Sequence, residues 1–216
     1  MSERTIDRMR LTFSVGDEVK YISHLDLLRA WERILRRAGL PLAYSQGFNP
    51  HPRIVIAMPL PVGCTGATEM VDVYLEEVLE PVPVISALAP ALPVGIKVSS
   101  ATRVPTGESA LPNQICGAEY RLSLAEVSLD HISQRVSELV AMERCEVTFR
   151  RKTFDLRPLI GALSVRTGPS GTIIDALLLR SASGRIGRPD VLLEALDLAA
   201  HARGVHRERI VFGEAG

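Results

Sequence analysis

The spacing of apolar residues switches from two to 3.6 near the amino terminus, and that switch restricts the fold more than any other feature of the chain. Met9, Leu11, Phe13 and Val15 alternate with Arg10, Thr12 and Ser14, the period of a strand with one buried face. Gly16-Asp17 predicts a turn, and Val19–Ile22 an extended piece running into Ser23. Ser23-His24-Leu25-Asp26 has the form of a capping box, with an acid three residues after the hydroxyl. From there Leu27, Leu28, Trp31, Ile34, Leu35 and Ala38 fall on one helical face, so a helix runs to about Ala38 and stops at Gly39.

The pattern then continues as strand, strand, helix, strand. Leu42–Tyr44 reads as a short strand and Ser45–Pro52 as a loop, since Gly47, Asn49, Pro50 and Pro52 will not sustain a ladder. Arg53–Met58 reads as a buried strand, Pro59–Thr65 as a turn, Glu69–Leu75 as an alternating strand, Val84–Leu92 as a short helix broken near Pro90, and Gly95–Val104 as a strand. That order predicts a ferredoxin-like split βαβ unit over residues 1–104, α+β in class. Its antiparallel sheet carries both helices on one face and leaves the other free to bind.

Residues 105–117, with Pro105, Gly107, Pro112 and Gly117, read as a linker. Over residues 118–216 the order restarts: a strand at Glu119–Leu124, a helix at Leu129–Met142 and strands at Cys145–Arg150 and Ile173–Arg180. A proline-started helix at Pro189–Ala200 and a strand at Arg207–Phe212 follow. Phe154–Val165 fits a strand or a short helix. The whole chain is therefore expected to hold two ferredoxin-like units in tandem, the second looser, on element order alone.

Charge does not single out a partner class. Lys plus Arg equals Asp plus Glu, so no global field pulls the chain onto nucleic acid and any such contact needs a local patch. Only Lys20, Lys97 and Lys152 are lysines, and the other cations are arginines, whose planar forks suit phosphate; codon bias explains the excess more simply. Cys64, Cys116 and Cys145 are too scattered for a cluster or zinc motif and fit a reducing cytoplasm. No signal peptide and no apolar run of about 18 residues is present, so no membrane contact is expected. The common nucleotide, zinc-protease and hydrolase signatures do not occur, and no cofactor or metal is called for.

Two clusters could carry chemistry. Tyr44, Ser45, Gln46, Phe48, Asn49, His51 and Arg53 combine stacking faces, donors and acceptors on a loop stiffened by Pro50 and Pro52. A plain Gly/Pro connection whose side chains satisfy local backbone explains the same residues. The second cluster is Ser23, His24 and Asp26 at the helix start. There the macrodipole disfavours the imidazolium, so a neutral His24 could act as a general base near pH 7. Capping accounts for Ser23 and Asp26 equally well. If the helix start and the loop adjoin, His24 and His51 could share a cleft, and with Asp26 a metal site is imaginable, though the spacing argues against one. Arg29, Arg33, Arg36 and Arg37 form a basic stripe suited to phosphates, or a solvated face with Glu32–Arg36 as an i, i+4 pair. Arg150-Arg151-Lys152 is a second basic spot, and Asp72, Glu76, Glu77 and Glu80 an acidic run.

Tyr21-Ile22-Ser23-His24-Leu25-Asp26, Arg29, Glu32-Arg33, Leu35–Pro41, Ala43-Tyr44-Ser45, Gly47–Pro52, Pro59–Gly63 and Glu69 together resemble one bacterial family. This is the radical-SAM-linked family of unknown function, whose members lie beside, or extend, a B12-binding-type radical SAM protein. The motifs are dense over roughly the first 75 positions and depart from the pattern around Cys64–Thr68. The resemblance implies a radical SAM partner and a role near RNA modification or processing, and it hands over no catalytic residue. Without a CxxxCxxC motif the chain is not itself the radical enzyme.

The expectation is a non-catalytic partner that binds or presents tRNA or rRNA through open sheet faces, the Arg-lined helix and the Phe48/Tyr44 loop. A metal-independent endoribonuclease, with His24 as general acid/base assisted by Tyr44 or His51, is the rival by fold analogy alone. A purely structural protein-interaction module is the third reading. Oligomeric state is not legible.

Overall fold

The computed structural model describes residues 6–105, 107–169 and 171–213. It is a mixed α+β structure with mostly antiparallel sheet and four α-helices among the described residues. Two compact units divide it, one ending at Gln114 and one spanning Ile115–Gly213.

The first unit contains β1 (Asp7–Val15), α1 (His24–Arg37), β2 (Ile54–Ile56), β3 (Cys64–Leu75), α2 (Pro81–Leu88) and β4 (Ile96–Arg103). Its strands lie in the order β4-β1-β3-β2, every pair antiparallel. Burial on β1 alternates strictly, with Met9, Leu11, Phe13 and Val15 inward. Leu27, Trp31, Ile34 and Leu35 from α1 and Val84 and Leu88 from α2 join them in one core. Both helices therefore cover the same face of the sheet. Trp31 meets Phe13 edge-on, with ring centroids 4.9 Å apart, a favoured geometry for aromatic quadrupoles. Helix α1 begins as its sequence requires: the Ser23 hydroxyl oxygen accepts from the Asp26 N–H at 3.2 Å and donates to the Asp26 carboxylate at 2.7 Å. It ends at Gly39, whose φ of +69° is the left-handed conformation that closes a helix.

The opposite face of this sheet is not free, contrary to the sequence expectation. Arg8 and Arg10 project there around Asp72, and the chain folds back over them. The Arg8 guanidinium donates to the carbonyls of Glu108, at 2.9 Å, and Ser109, at 3.3 Å, while Leu111 is fully buried in a 3-10 turn over Leu111–Gln114. Half of the stretch expected as a linker is thus packed structure of the first unit.

The second unit contains β5 (Ile115–Leu124), α3 (Leu129–Ala141), β6 (Glu146–Phe149), β7 (Lys152–Asp155), β8 (Ile160–Gly168), β9 (Gly171–Leu179), α4 (Pro189–Ala195) and β10 (Ala202–Phe212). Its sheet order is β10-β5-β9-β8, again antiparallel throughout, while β6 and β7 form a separate two-stranded hairpin. Ala118, Tyr120, Leu122 and Leu124 on β5 and Ile174, Ala176 and Leu178 on β9 are buried. Ile132, Val136 and Leu139 from α3 and Val191, Leu192 and Leu193 from α4 are buried as well.

Five local expectations change, the first at Leu42–Tyr44, which forms isolated bridges from Leu42 to Leu75 and from Tyr44 to Pro52 in place of a strand. Val19–Ile22 is not extended: Asp17–Val19 is a 3-10 turn, with Lys20 paired to Asp17 at 2.9 Å. The turn at Pro59–Thr65 ends early, because Gly63 at φ +87° completes it and β3 starts at Cys64. Phe154–Val165 divides into the end of β7, a 3-10 turn at Arg157–Leu159 and the start of β8. The helix at Pro189 stops at Ala195, where Asp197 takes a left-handed φ of +59° and its N–H bonds back to the Glu194 carbonyl.

Candidate functional site

The register of β1 on β3 sets where the candidate residues lie. Val15 pairs with Gly66 at one end and Asp7 with Leu75 at the other, so the paired length is about 25–30 Å. Helix α1 starts at the Gly66 end: the Gly63 N–H donates to the Lys20 carbonyl, and His24 lines a small crevice with Val15, Leu60 and Pro61. Helix α1 then runs back along the sheet to the Leu75 end. There Leu42 bridges Leu75, the Glu76 N–H donates to the Pro41 carbonyl, and the Ala43 N–H donates to the Tyr74 carbonyl. The 44–52 loop leaves and re-enters the sheet at that end.

His24 and His51 therefore stand at opposite ends of the sheet and share no cleft. The imagined His24–His51–Asp26 metal site and the assistance of His24 by Tyr44 or His51 are removed for the same reason. Among the described residues no group of three or more His, Cys, Asp or Glu is placed to hold a metal. His24 also lacks an orienting partner: its Nδ1 is enclosed with no hydrogen bond, and Ser23 and Asp26 are engaged with each other. The Ser23 hydroxyl, and behind it Arg29, hold the Asp26 carboxyl below its ordinary range. Arg29 meets Asp26 at 3.2 Å, an exposed pair worth little.

What the fold does bring together is the last turn of α1 and the loop. Arg36 and Arg37 end the helix, a favourable place for cations on the macrodipole. The expected Glu32–Arg36 pair does not form among the described residues; Arg36 and Arg37 are exposed with no carboxylate partner there, while Arg33, also exposed, feels the Asp26 carboxylate back along the helix. The loop is braced: Tyr44 bridges Pro52, the Ser45 N–H donates to the His51 carbonyl at 2.9 Å, and the His51 N–H donates to the Ser45 hydroxyl at 3.1 Å. Ser45 thus does the backbone work a plain connection needs. Gln46, Asn49 and His51 instead expose their side chains, Tyr44 is 39% exposed and Phe48 107%. A phenyl ring wholly in water costs hydration free energy and contributes nothing to the core. Arg53 has a different task, its guanidinium lying 4.2 Å above the Tyr74 ring at the loop's root.

Two features lay outside the sequence reading. Asp72 does not belong to the acidic surface run: it is 1% exposed, and Arg10 grips it through Nε at 2.8 Å and Nη2 at 3.0 Å. Only its partners across the sheet could have signalled that. Tyr21, Leu25 and Val62 expose apolar surface near the start of α1, a feature that helical periodicity around Leu27 could have flagged at Leu25.

Comparison with known proteins yields three findings. A family model described as "Uncharacterized protein conserved in bacteria (DUF2344)" matches residues 8–189. No curated protein matches. A solved structure described as "Structure of H/ACA RNP bound to a substrate RNA containing 2'-deoxyuridine" is similar at a TM-score of 0.48 and 13% identity, over 94% of this chain and 47% of that one. The chain thus spans about half the length of that structure's chain. No described helix is long and apolar enough to cross a membrane.

Proposed function

We propose, from the premise that the chain belongs to the family "Uncharacterized protein conserved in bacteria (DUF2344)", that it holds RNA for a partner enzyme and performs no chemistry itself. The observation that carries this reading is Phe48, presented to solvent on a braced loop at the same end of the sheet as the unpaired Arg36 and Arg37. Unstacked bases of an RNA loop or end pack on an exposed aromatic ring, while guanidinia meet the flanking phosphates. Arg33 extends the cationic track along α1, and Gln46, Asn49 and His51 supply donors and acceptors for base edges.

Both units are read here as split βαβ folds, because the order β4-β1-β3-β2 in one and β10-β5-β9-β8 in the other follow from the same strand, helix, strand, strand, helix, strand sequence. The hairpin β6–β7 is then an insertion in the second. The partner implied by the motif resemblance is a radical SAM protein, and the setting a cytoplasmic one.

The test is fluorescence anisotropy with labelled tRNA and rRNA fragments across a salt series. Phe48→Ala is expected to leave stability within about 0.5 kcal/mol, since the ring makes no buried contact. The same change should weaken RNA binding by roughly 5- to 150-fold, the equivalent of about 1–3 kcal/mol of base stacking. Arg36→Ala with Arg37→Ala should weaken binding further and flatten its salt dependence. Absence of any RNA binding at low salt overturns the reading, and binding indifferent to Phe48→Ala removes the 44–52 loop as its site. A pull-down of the cognate radical SAM protein with and without RNA tests the partner.

A further inference from the structure

The hairpin β6–β7 carries a second cluster of cations and aromatic rings, assembled from parts of the chain that are far apart in sequence. Phe149 pairs with Lys152, so the turn between them has only two residues, Arg150 and Arg151. Both adopt positive φ, 49° and 65°. A two-residue turn of this kind favours Asn-Gly, because a Cβ crowds the backbone in the left-handed region. Two adjacent arginines there are a poor local choice, and strain kept at a tip is a signature of use.

The surroundings favour the same conclusion. Arg185 lies 4.0 Å above the Phe154 ring, and Arg188 4.8 Å and Arg150 5.2 Å from the Phe149 ring. Stacking on a ring holds a guanidinium plane in place while its N–H groups stay free to point outward. Arg188 is partnered by Asp190 at 2.8 Å. Arg150, Arg151, Lys152 and Arg185 have no carboxylate partner among the described residues. The nearby acids are engaged elsewhere: Glu146 with Arg144, and Asp155 with the backbone N–H groups of Cys145 and Arg157. Phe149 and Phe154 are half-buried, each lying under a guanidinium, and the remaining cross-strand pair beside the tip is polar, with the Thr148 and Thr153 hydroxyls 2.9 Å apart.

We infer that the β6–β7 hairpin is a second RNA contact, a basic finger whose tip arginines neutralise backbone phosphates of a folded RNA. The inference rests on the RNA-holding reading above but uses a different unit and different residues. Four-residue strands project the tip by about 13 Å, enough to reach a groove edge. Contact of this kind is blind to base identity and strongly salt-dependent.

The decisive variant is Arg150→Asn with Arg151→Gly, which removes both charges and installs the residues that such a turn prefers. Hydrogen exchange of the hairpin amides should slow several-fold, while affinity for labelled tRNA falls on the order of ten-fold and the slope of log K against log salt shrinks by about 1.5. Arg150→Lys with Arg151→Lys should keep most of the affinity. If Phe48→Ala weakens binding and the hairpin double variant does not, the finger is refuted and the loop reading stands. If only the hairpin variant weakens it, the loop reading falls and the finger stands. No RNA binding by the native protein, or tighter binding to 3:1 phosphatidylcholine–phosphatidylglycerol vesicles than to RNA, overturns the inference.

Discussion

Replacing Asp72 by Ala tests the covered face of the first unit directly. The carboxylate is fully buried on β3, with Arg10 bidentate at 2.8 and 3.0 Å and the Arg8 Nε at 3.8 Å. Deleting one partner of a buried ion pair costs about 3–5 kcal/mol, because the other charge stays desolvated without compensation. Here two things reduce that figure. The Arg8 and Arg10 side chains keep 11% and 18% of their exposure, and Glu108 remains 3.0 Å from Arg10. The expected loss is therefore about 2–3 kcal/mol, a drop of roughly 4–12 °C in melting temperature for a protein of this size. Urea unfolding followed by circular dichroism reads it as a lower midpoint at unchanged slope. Asp72→Leu combined with Arg10→Met should recover most of the loss, since an apolar pair of similar volume carries no desolvation penalty. A loss below about 0.5 kcal/mol for Asp72→Ala would refute the claim that this pair is internal to the fold.

Two other outcomes follow from the geometry. His24→Ala should leave RNA affinity within about two-fold, because His24 sits one strand length from Phe48; a loss comparable to that of Phe48→Ala would contradict the register argument. Acidification should loosen the hairpin base. Hydrogen bonds from the Cys145 and Arg157 N–H groups hold the Asp155 carboxyl below its ordinary value of 3.8. Its contribution is thus complete above about pH 4 and lost as pH falls through the lowered native value. Asp155→Asn should flatten the stability profile between pH 5 and pH 2, and an unchanged profile would count against that role.

Much of the local structure was legible because it depends on neighbours in sequence. The alternation on β1, the Ser23 cap and the Gly39 stop each follow from side-chain chemistry within a few residues, and each lies where the pattern puts it. The same holds for the 44–52 loop, whose glycine and prolines exclude a ladder. The failures are of a different kind. Asp72 reads as a surface acid until β1 supplies Arg8 and Arg10 across the sheet. Arg150-Arg151-Lys152 reads as a bare basic spot until Arg185 and Arg188 close over its phenylalanines.

The candidate site shows the division most clearly. Composition marked Ser23–Asp26 and Tyr44–Arg53 as unusual, since histidines, aromatics and hydrogen-bonding side chains cluster there whatever the fold. Whether they could act together depended on strand register, a long-range pairing that a one-dimensional pattern does not encode. Antiparallel pairing of β1 with β3 sends α1 along the full length of the sheet, so the helix start and the loop end up at opposite edges. Residue chemistry selected the candidates, and backbone hydrogen bonding between distant strands chose which of them became neighbours.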